Sequence, residues 1–135
     1  MEEEIRTILS AARTVAVVGL SDKPDRPSHR VAAYLQQHGY NIIPVNPNVT
    51  EVLGEKAYAS LPDIPAAVDV VDIFRKSADV PPIVDDAIRI GAKVVWMQEG
   101  VVNEEAARKA RAAGLAVVMD RCILKEHQKH GDGHR

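Results

Sequence analysis

Five short apolar runs, rich in β-branched residues, set the strongest constraint on the fold of this chain. They occupy residues 15–18, 42–45, 68–74, 94–97 and 115–119. Their side chains do not alternate between apolar and polar, which is typical of strands buried on both faces of a parallel sheet. The runs therefore predict an α/β fold, in which a five-stranded parallel sheet is doubly wound with helices on both faces.

Segments with helical spacing separate these runs. Three of them are followed by Gly39, Gly91 and Gly114, and glycine is the usual residue just past a helix end. Asn103 is the expected N-cap of the helix that ends before Gly114. We also expect an opening helix at residues 2–12, a closing helix at 121–129, and an irregular connection or a short helix at 50–65.

Length and charge favour one domain that does not bind nucleic acid. The chain has 135 residues, and we assign residues 1–130 to a single domain and 131–135 to a polar C-terminal tail. Its 17 Lys and Arg against 19 Asp and Glu leave no basic excess. An acidic start and the lack of an apolar run of about 20 residues argue against a signal peptide or a membrane span. With a single cysteine, the composition favours the cytoplasm.

The loop after the first predicted strand combines features that favour a phosphate group. It contains Gly19, Leu20, Ser21, Lys23, Arg26, Pro27 and Ser28, and a helix follows. Ser28 is the expected N-cap of that helix, whose N-terminus offers N–H donors and a partial positive charge. A surface connection with solvated cations is the alternative interpretation of this loop taken alone.

Several common nucleotide-binding signatures are missing from the sequence. The dinucleotide fingerprint needs three glycines, and only Gly19 is present in this loop. The second predicted strand ends in Asn46 and Pro47, without the acid that would bind the ribose of NAD. The Walker A pattern is also absent, and so are the acids of a phospho-acceptor domain. Binding of NAD(P) is therefore an alternative that these residues disfavour.

Three further loops would meet the first one at the carboxyl edge of a parallel sheet. They supply amide groups, an aromatic ring and two more cations, at Asn46, Pro47, Phe74, Arg75, Lys76, Gln98, Gly100 and Val101. Such groups match the hydrogen bonding, the ring face and the charge of a phosphorylated adenosine.

These motifs resemble those of a known family. The stretches 17–21, 26–28, 44–47, 94–101 and 118–122 are similar to the small stand-alone CoA-binding proteins. Those proteins are in turn similar to the N-terminal domain of the α subunit of succinyl-CoA synthetase and of related acyl-CoA synthetases. The resemblance implies a Rossmann-like sheet with strand order 3-2-1-4-5, and it implies coenzyme A as the ligand.

The resemblance also implies a role for each loop. The pyrophosphate of CoA would lie at Ser21, Lys23, Arg26 and Ser28, in the loop that also contains Gly19, Leu20 and Pro27. Asn46 and Pro47 would line the adenosine side, with Phe74 and Arg75 opposite. Either Arg75 or Lys76 would face the 3′-phosphate. Gln98, Gly100 and Val101 would meet the middle of the ligand or its pantetheine arm.

The parts that make the related synthetases catalytic have no counterpart in this sequence. Those enzymes use a phosphorylated histidine on a further domain and an ATP-grasp partner. We therefore expect a non-catalytic CoA or acyl-CoA binding protein that acts as a carrier or sensor. The alternative is the CoA-binding component of a multi-chain acyl-CoA synthetase or transferase, completed by a ligase or ATP-grasp chain.

Histidines and the cysteine near the C-terminus are the remaining candidates for chemistry. His127, His130 and His134 have the spacing of metal ligands, but a polar tail gives them no fixed geometry, so we expect no metal site. Cys122 follows the fifth predicted strand. It is either a small buried packing residue or a thiol at the ligand rim that forms a mixed disulfide with CoA.

Overall fold

The computed structural model describes residues 1–130, which are built around a five-stranded parallel sheet. In chain order the strands are β1 (Thr14–Val18), β2 (Asn41–Val45), β3 (Glu51–Val52), β4 (Glu55–Lys56), β5 (Val70–Ile73), β6 (Val94–Met97) and β7 (Ala116–Val118). β3 and β4 form a separate antiparallel pair, and every neighbouring pair in the main sheet is parallel. The predicted α/β class with a parallel sheet is confirmed.

The main sheet has the order β2-β1-β5-β6-β7. Outside β2, Tyr58 forms a parallel bridge to Val45, and its N–H donates to the Pro44 carbonyl at 3.0 Å. If this bridge is counted as the third strand in chain order, β5 becomes the fourth strand, β6 the fifth and β7 the sixth. The expected order 3-2-1-4-5 is then confirmed, with β7 beside β6 as a sixth strand. Among the five continuous strands alone the order is 2-1-3-4-5, because the chain returns from Tyr58 to place β5 beside β1.

Helices cover both faces of the sheet, as predicted. Within residues 1–130 they are α1 (Glu2–Ala11), α2 (Pro27–Gln37), α3 (Val80–Arg89), α4 (Glu104–Ala112) and α5 (Ile123–His130). Helices α1, α2 and α5 pack on the face that carries Val17 and Trp96. Helices α3 and α4 pack on the face that carries Val18 and Met97. None of the helices described here is both long enough and apolar enough to cross a membrane.

One predicted cap is confirmed and another is wrong. Asn103 caps α4, because its side-chain oxygen accepts a hydrogen bond from the Ala106 N–H at 2.9 Å. Helix α2 begins at Pro27, so Arg26 takes the N-cap position and Ser28 does not. Proline is well suited to the first turn of a helix, since the N–H that it lacks would have no partner there.

Two connections differ from the predicted ones. Residues 50–65 contain the expected short helix, a 3₁₀ helix at Leu61–Asp63, but also the β3–β4 hairpin, which was not predicted. The last helix begins at Ile123 rather than at residue 121, since Asp120 has a left-handed φ of 60° and the Arg121 carbonyl accepts a hydrogen bond from the Trp96 indole. The predicted polar tail at 131–135, with His134, lies outside the described residues.

Candidate functional site

The loops after β1, β2, β5, β6 and β7 leave the sheet at its carboxyl edge, because all five strands run in one direction. These loops and the helix starts after them carry all of the predicted binding residues. The chain reverses its direction of winding between β1 and β5, which is where an open α/β sheet forms its ligand crevice. This edge is therefore the candidate site.

Gly19 lies where two of these loops come closest. Its N–H donates to the Val45 carbonyl at 2.8 Å, and its φ is +87°. A Cβ at this position would lie 2.5 Å from the Phe74 carbonyl oxygen and 3.0 Å from the Cδ of Arg75. Only glycine therefore lets the β1–α2 loop pass against the start of the loop after β5.

The β1–α2 loop is held in shape by its own serines. Ser28 is 5% exposed, and its Oγ accepts a hydrogen bond from the Ser21 N–H at 3.0 Å. The Oγ of Ser21 accepts one from the Lys23 N–H at 3.1 Å. The loop thus presents exposed Lys23 and Arg26 beside the first turn of α2. Pro27 has no N–H there, and the N–H groups of His29 and Arg30 both donate to the Arg26 carbonyl at 3.1 Å, so the Ser28 N–H is the donor that remains in this turn.

Asn46 supports this loop from the end of β2. Its Nδ2 donates to the Leu20 carbonyl at 3.0 Å, and its Oδ1 accepts from the Asn48 N–H at 2.9 Å. The Leu20 side chain is fully buried in the core. Leu20 and Asn46 therefore shape the loop through the protein's own contacts.

Along this edge, the residues that the structure describes form three neighbouring clefts. The loop cleft, of about 260 Å³, is lined by Gly19, Ser21, Arg26, Pro27, Ser28 and Phe74. The central cleft, of about 700 Å³, is lined by Pro27, Val31, Phe74, Arg75, Lys76, Asp79, Gln98, Glu99, Val101 and Cys122. The outer cleft, of about 350 Å³, has Val18, Val45, Pro47, Ser60, Leu61, Arg75, Asp79 and Ile83 among its lining residues.

The three clefts converge on Phe74 and Arg75. Phe74 lines both the loop cleft and the central cleft. Arg75 lines both the central cleft and the outer cleft, and its side chain runs beside Gly19. An extended ligand with several parts fits this arrangement better than a compact one.

Charges of both signs line the central cleft. Arg75 Nη2 lies 3.7 Å from Asp79 Oδ2, and both side chains are 44% exposed. Glu99 Oε2 lies 3.0 Å from Lys125 Nζ, and this contact raises the pKa of Lys125. Exposed ion pairs of this kind stabilise a fold by only about 0–1 kcal/mol. Arg75 can therefore exchange Asp79 for an anionic ligand at little cost.

The loop between β7 and α5 is fastened to the loop between β6 and α4. The Oε1 of Gln98, a residue only 5% exposed, accepts a hydrogen bond from the Ile123 N–H at 3.1 Å. The Gly100 N–H donates to Asp120 Oδ1 at 2.7 Å. Together these bonds hold Cys122, which is 9% exposed, at the wall of the central cleft.

Asp72 is a buried acid in β5, two residues before Phe74. It lies in register between Val17 of β1 and Trp96 of β6, and it is fully buried. Neither carboxyl oxygen has a hydrogen-bond partner among residues 1–130. Burial raises the pKa of Asp72 well above its usual range, because the charged form loses its solvation.

The structure brings most of the predicted site residues together around the clefts. Leu20, Lys23, Asn46 and Gly100 are the predicted residues outside the cleft linings described above. Other lining residues, among them Val31, Ser60, Leu61 and Asp79, were not predicted from the sequence. The spacing gave no signal for Asp79, because side chains four residues apart are neighbours only within one helix and Arg75 lies outside any helix. Val31 gave none, because it belongs to the apolar stripe of α2.

A doubly wound parallel sheet with a crevice at its carboxyl edge defines a Rossmann-like α/β fold. Residues 13–128 match the family described as the CoA binding domain. The chain belongs to that family.

Comparison with known proteins gives relatives of two sizes. The uncharacterized protein YneT of Bacillus subtilis (strain 168) is 46% identical over 124 residues, which span 92% of each chain. The solved structure of a hypothetical protein from Pyrococcus horikoshii OT3 has a TM-score of 0.93 and 46% identity, covering 96% of this chain and 91% of that one.

A larger enzyme contains a related segment. The ADP-forming acetate–CoA ligase II of Archaeoglobus fulgidus is 31% identical over 121 residues, which are 88% of this chain but 17% of the ligase. The chain is thus homologous to the CoA-binding N-terminal part of ADP-forming acetyl-CoA synthetases. The expected relation to acyl-CoA synthetases is confirmed.

Proposed function

We propose that this chain binds coenzyme A or an acyl-CoA thioester across the three clefts, as a carrier or sensor rather than a catalyst. The observation that carries this proposal is the convergence of the three clefts on Phe74 and Arg75. CoA also has three parts, with the pyrophosphate between the adenosine and the pantetheine arm. The loop cleft can take the middle part, because it meets the central cleft at Phe74 and lies beside the outer cleft where Arg75 runs along Gly19. The family match spans the residues of all three clefts.

The pyrophosphate is assigned to the loop cleft. Arg26 lines this cleft, Lys23 adds positive charge in the same loop, and the start of α2 supplies the Ser28 N–H at the positive end of the helix dipole. Gly19 allows the backbone of this loop to pass close to the Phe74 carbonyl, and Pro27 begins helix α2. Ser21 and Ser28 line the same cleft, where Ser28 keeps the loop closed through its bond to the Ser21 N–H.

The adenosine is assigned to the outer cleft. Pro47 lines this cleft, and Asn46 fixes the loop beside it. Phe74 and Arg75 stand on the opposite side of the site, at the junction of the clefts. The 3′-phosphate then pairs with Arg75 or Lys76, both of which are exposed cations at this edge.

The pantetheine arm is assigned to the central cleft. Gln98 and Val101 line its wall, and the Gly100 N–H fixes the loop through Asp120. Cys122 lies on the same wall, so the thiol end of CoA would come within reach of its sulfur. In this proposal residues 1–130 form one CoA-binding domain, and the protein works in the cytoplasm.

Titration calorimetry with CoA tests this proposal. We expect one CoA to bind per chain, and Arg26→Ala to weaken the affinity about ten- to a hundredfold through loss of a charge-assisted hydrogen bond. Arg111→Ala is the matched control, since it removes an equal charge from the exposed surface of α4. Equal affinities of wild type and Arg26→Ala would contradict the pyrophosphate assignment. Tighter binding of NAD than of CoA would favour the NAD(P) alternative.

A second candidate function is that of a CoA-binding component of a multi-chain acyl-CoA synthetase or transferase. The homology to a segment of a much longer ligase favours it. Formation of acyl-CoA when this chain is mixed with an ATP-grasp or ligase chain from the same cell would support this candidate. Binding of CoA without any such turnover would support the carrier or sensor.

A further inference from the structure

A compact cluster of charged side chains joins the start of α1 to the end of α5. The Nε2 of His130 lies 2.8 Å from Glu2 Oε1 and 3.4 Å from Glu126 Oε1. One ligand atom from each of these three residues lies within 4.8 Å of the other two. The cluster is separate from the three clefts, whose linings it does not share.

Arg121 divides the carboxylate oxygens of the cluster into two sets. Its Nη1 lies 3.0 Å from Glu2 Oε2 and 3.5 Å from Glu126 Oε2. The two Oε1 atoms are left facing His130. A guanidinium that holds the outer oxygens in this way orients the inner ones, as outer hydrogen-bond partners do for ligating carboxylates.

The ion pairs of the cluster leave one carboxylate oxygen of Glu126 without a hydrogen-bond partner among residues 1–130. That oxygen is the buried Oε1, and Glu126 as a whole is 9% exposed. The His130 side chain is only 5% exposed, and the single hydrogen that Nε2 can carry is directed at Glu2, the closer oxygen. A buried carboxylate oxygen without a partner is costly, so a cation between the three atoms would stabilise the cluster.

We propose that Glu2, Glu126 and His130 bind a divalent transition-metal ion such as Zn²⁺, with water completing its coordination. Imidazole nitrogen and carboxylate oxygen are both common zinc ligands, at bond lengths of about 2.0–2.2 Å. Tetrahedral geometry with such bonds separates neighbouring ligand atoms by roughly 3.3–3.6 Å. The 3.4 Å distance from His130 Nε2 to Glu126 Oε1 lies in this range, whereas the 2.8 Å distance to Glu2 Oε1 is that of a hydrogen bond and would lengthen when the metal binds.

Binding of the metal joins two helices and displaces one neighbour. It also requires His130 to carry its hydrogen on Nδ1, so any proton on Nε2 is released to solvent when the ion binds. Lys129 Nζ lies 3.3 Å from Glu2 Oε1, and its side chain is 57% exposed, so it can turn into solvent when the metal takes that oxygen. The ion would then connect the first turn of α1 to the last turn of α5. Its role would be structural, and it would raise the stability of the fold by binding only the folded chain.

The test uses the metal-free, full-length chain and zinc chloride alone. We expect one Zn²⁺ per chain by equilibrium dialysis and a rise in melting temperature with zinc but not with magnesium, which binds imidazole poorly. Glu126→Gln and His130→Asn should each weaken zinc binding at least about tenfold, while circular dichroism shows that both remain folded. Cys122→Ser and His134→Asn are matched controls that remove other zinc-binding side chains, and both should bind zinc as the wild type does.

Four results would overturn the proposal. If the wild type binds no zinc, the cluster is simply an ion-pair network. The same conclusion follows if Glu126→Gln and His130→Asn bind zinc as tightly as the wild type. Loss of zinc binding in either control would place the site elsewhere. Magnesium binding as tight as that of zinc would rule out a transition-metal site.

Discussion

The Cα of Gly19 lies so close to the backbone of Phe74 that a Cβ on the glycine would stand 2.5 Å from the Phe74 carbonyl oxygen. This contact joins the loop after β1 to the loop after β5, on the two sides of the point where the winding of the sheet reverses. The crevice therefore depends on a position that tolerates no side chain.

Replacement of Gly19 by alanine should both destabilise the fold and abolish CoA binding. The change combines a left-handed φ of +87° with a clash against backbone, so we expect a loss of at least about 2 kcal/mol in the free energy of unfolding. Gly54→Ala is the matched control, since Gly54 has a φ of +78° but no atom within 4 Å of a built Cβ. Urea unfolding and calorimetry of both variants give the comparison. Equal losses in the two variants would show that the Phe74 contact is unimportant.

Replacement of Asp72 by asparagine should stabilise the protein at neutral pH. The folded state holds the Asp72 proton to a higher pH than the unfolded state does, because burial raises the pKa of this acid. The stability of the wild type therefore falls as the pH rises above about 4, the usual pKa of aspartate, and it levels off above the folded-state pKa. The Asn variant does not lose stability in this way. Its free energy of unfolding should therefore exceed that of the wild type at pH 7, and the difference should disappear near pH 4.

Urea unfolding between pH 4 and pH 8 measures this effect. The exposed Asp22 provides a control, since Asp22→Asn should leave the same pH dependence as the wild type. A stability difference between wild type and Asp72→Asn that does not vary with pH would contradict the assignment of a neutral Asp72.

Cys122 should react with the disulfide form of CoA if the pantetheine arm lies in the central cleft. The Cys122 thiolate attacks one sulfur of CoA disulfide, forms a Cys122–CoA disulfide and releases the other CoA as a thiolate. Intact-mass spectrometry should show one CoA added per chain, removed again by dithiothreitol, and none in Cys122→Ser. If the folded protein forms the adduct no faster than the unfolded chain does with the same reagent, Cys122 is a packing residue.

Much of the fold could be predicted because parallel strands and helix ends leave local signals. The apolar runs located all five strands of the main sheet, and Asn103 marked the start of α4. The predicted N-cap at Ser28 was wrong. A serine at a helix start usually caps the helix, but here Pro27 occupies the first helical position and Ser28 follows it. The β3–β4 hairpin left no signal, since its strands have two residues each and Leu53 takes a positive φ that glycine or asparagine normally supplies.

The candidate site was predictable to the extent that topology brings strand ends together. Loop residues such as Arg26 and Phe74 could be grouped because parallel strands place their carboxyl ends at one edge. The cluster of Glu2, Glu126 and His130 could not be found in this way. Its members come from opposite ends of the chain, and only the packing of α1 beside α5 brings them together.

The most direct test of the central claim is a crystal structure of the protein soaked in coenzyme A. We expect pyrophosphate density beside Gly19 and Arg26, adenosine in the outer cleft, and the thiol end near Cys122 in the central cleft. Clefts that hold no CoA at saturating concentration, or CoA bound away from the carboxyl edge of the sheet, would contradict this claim.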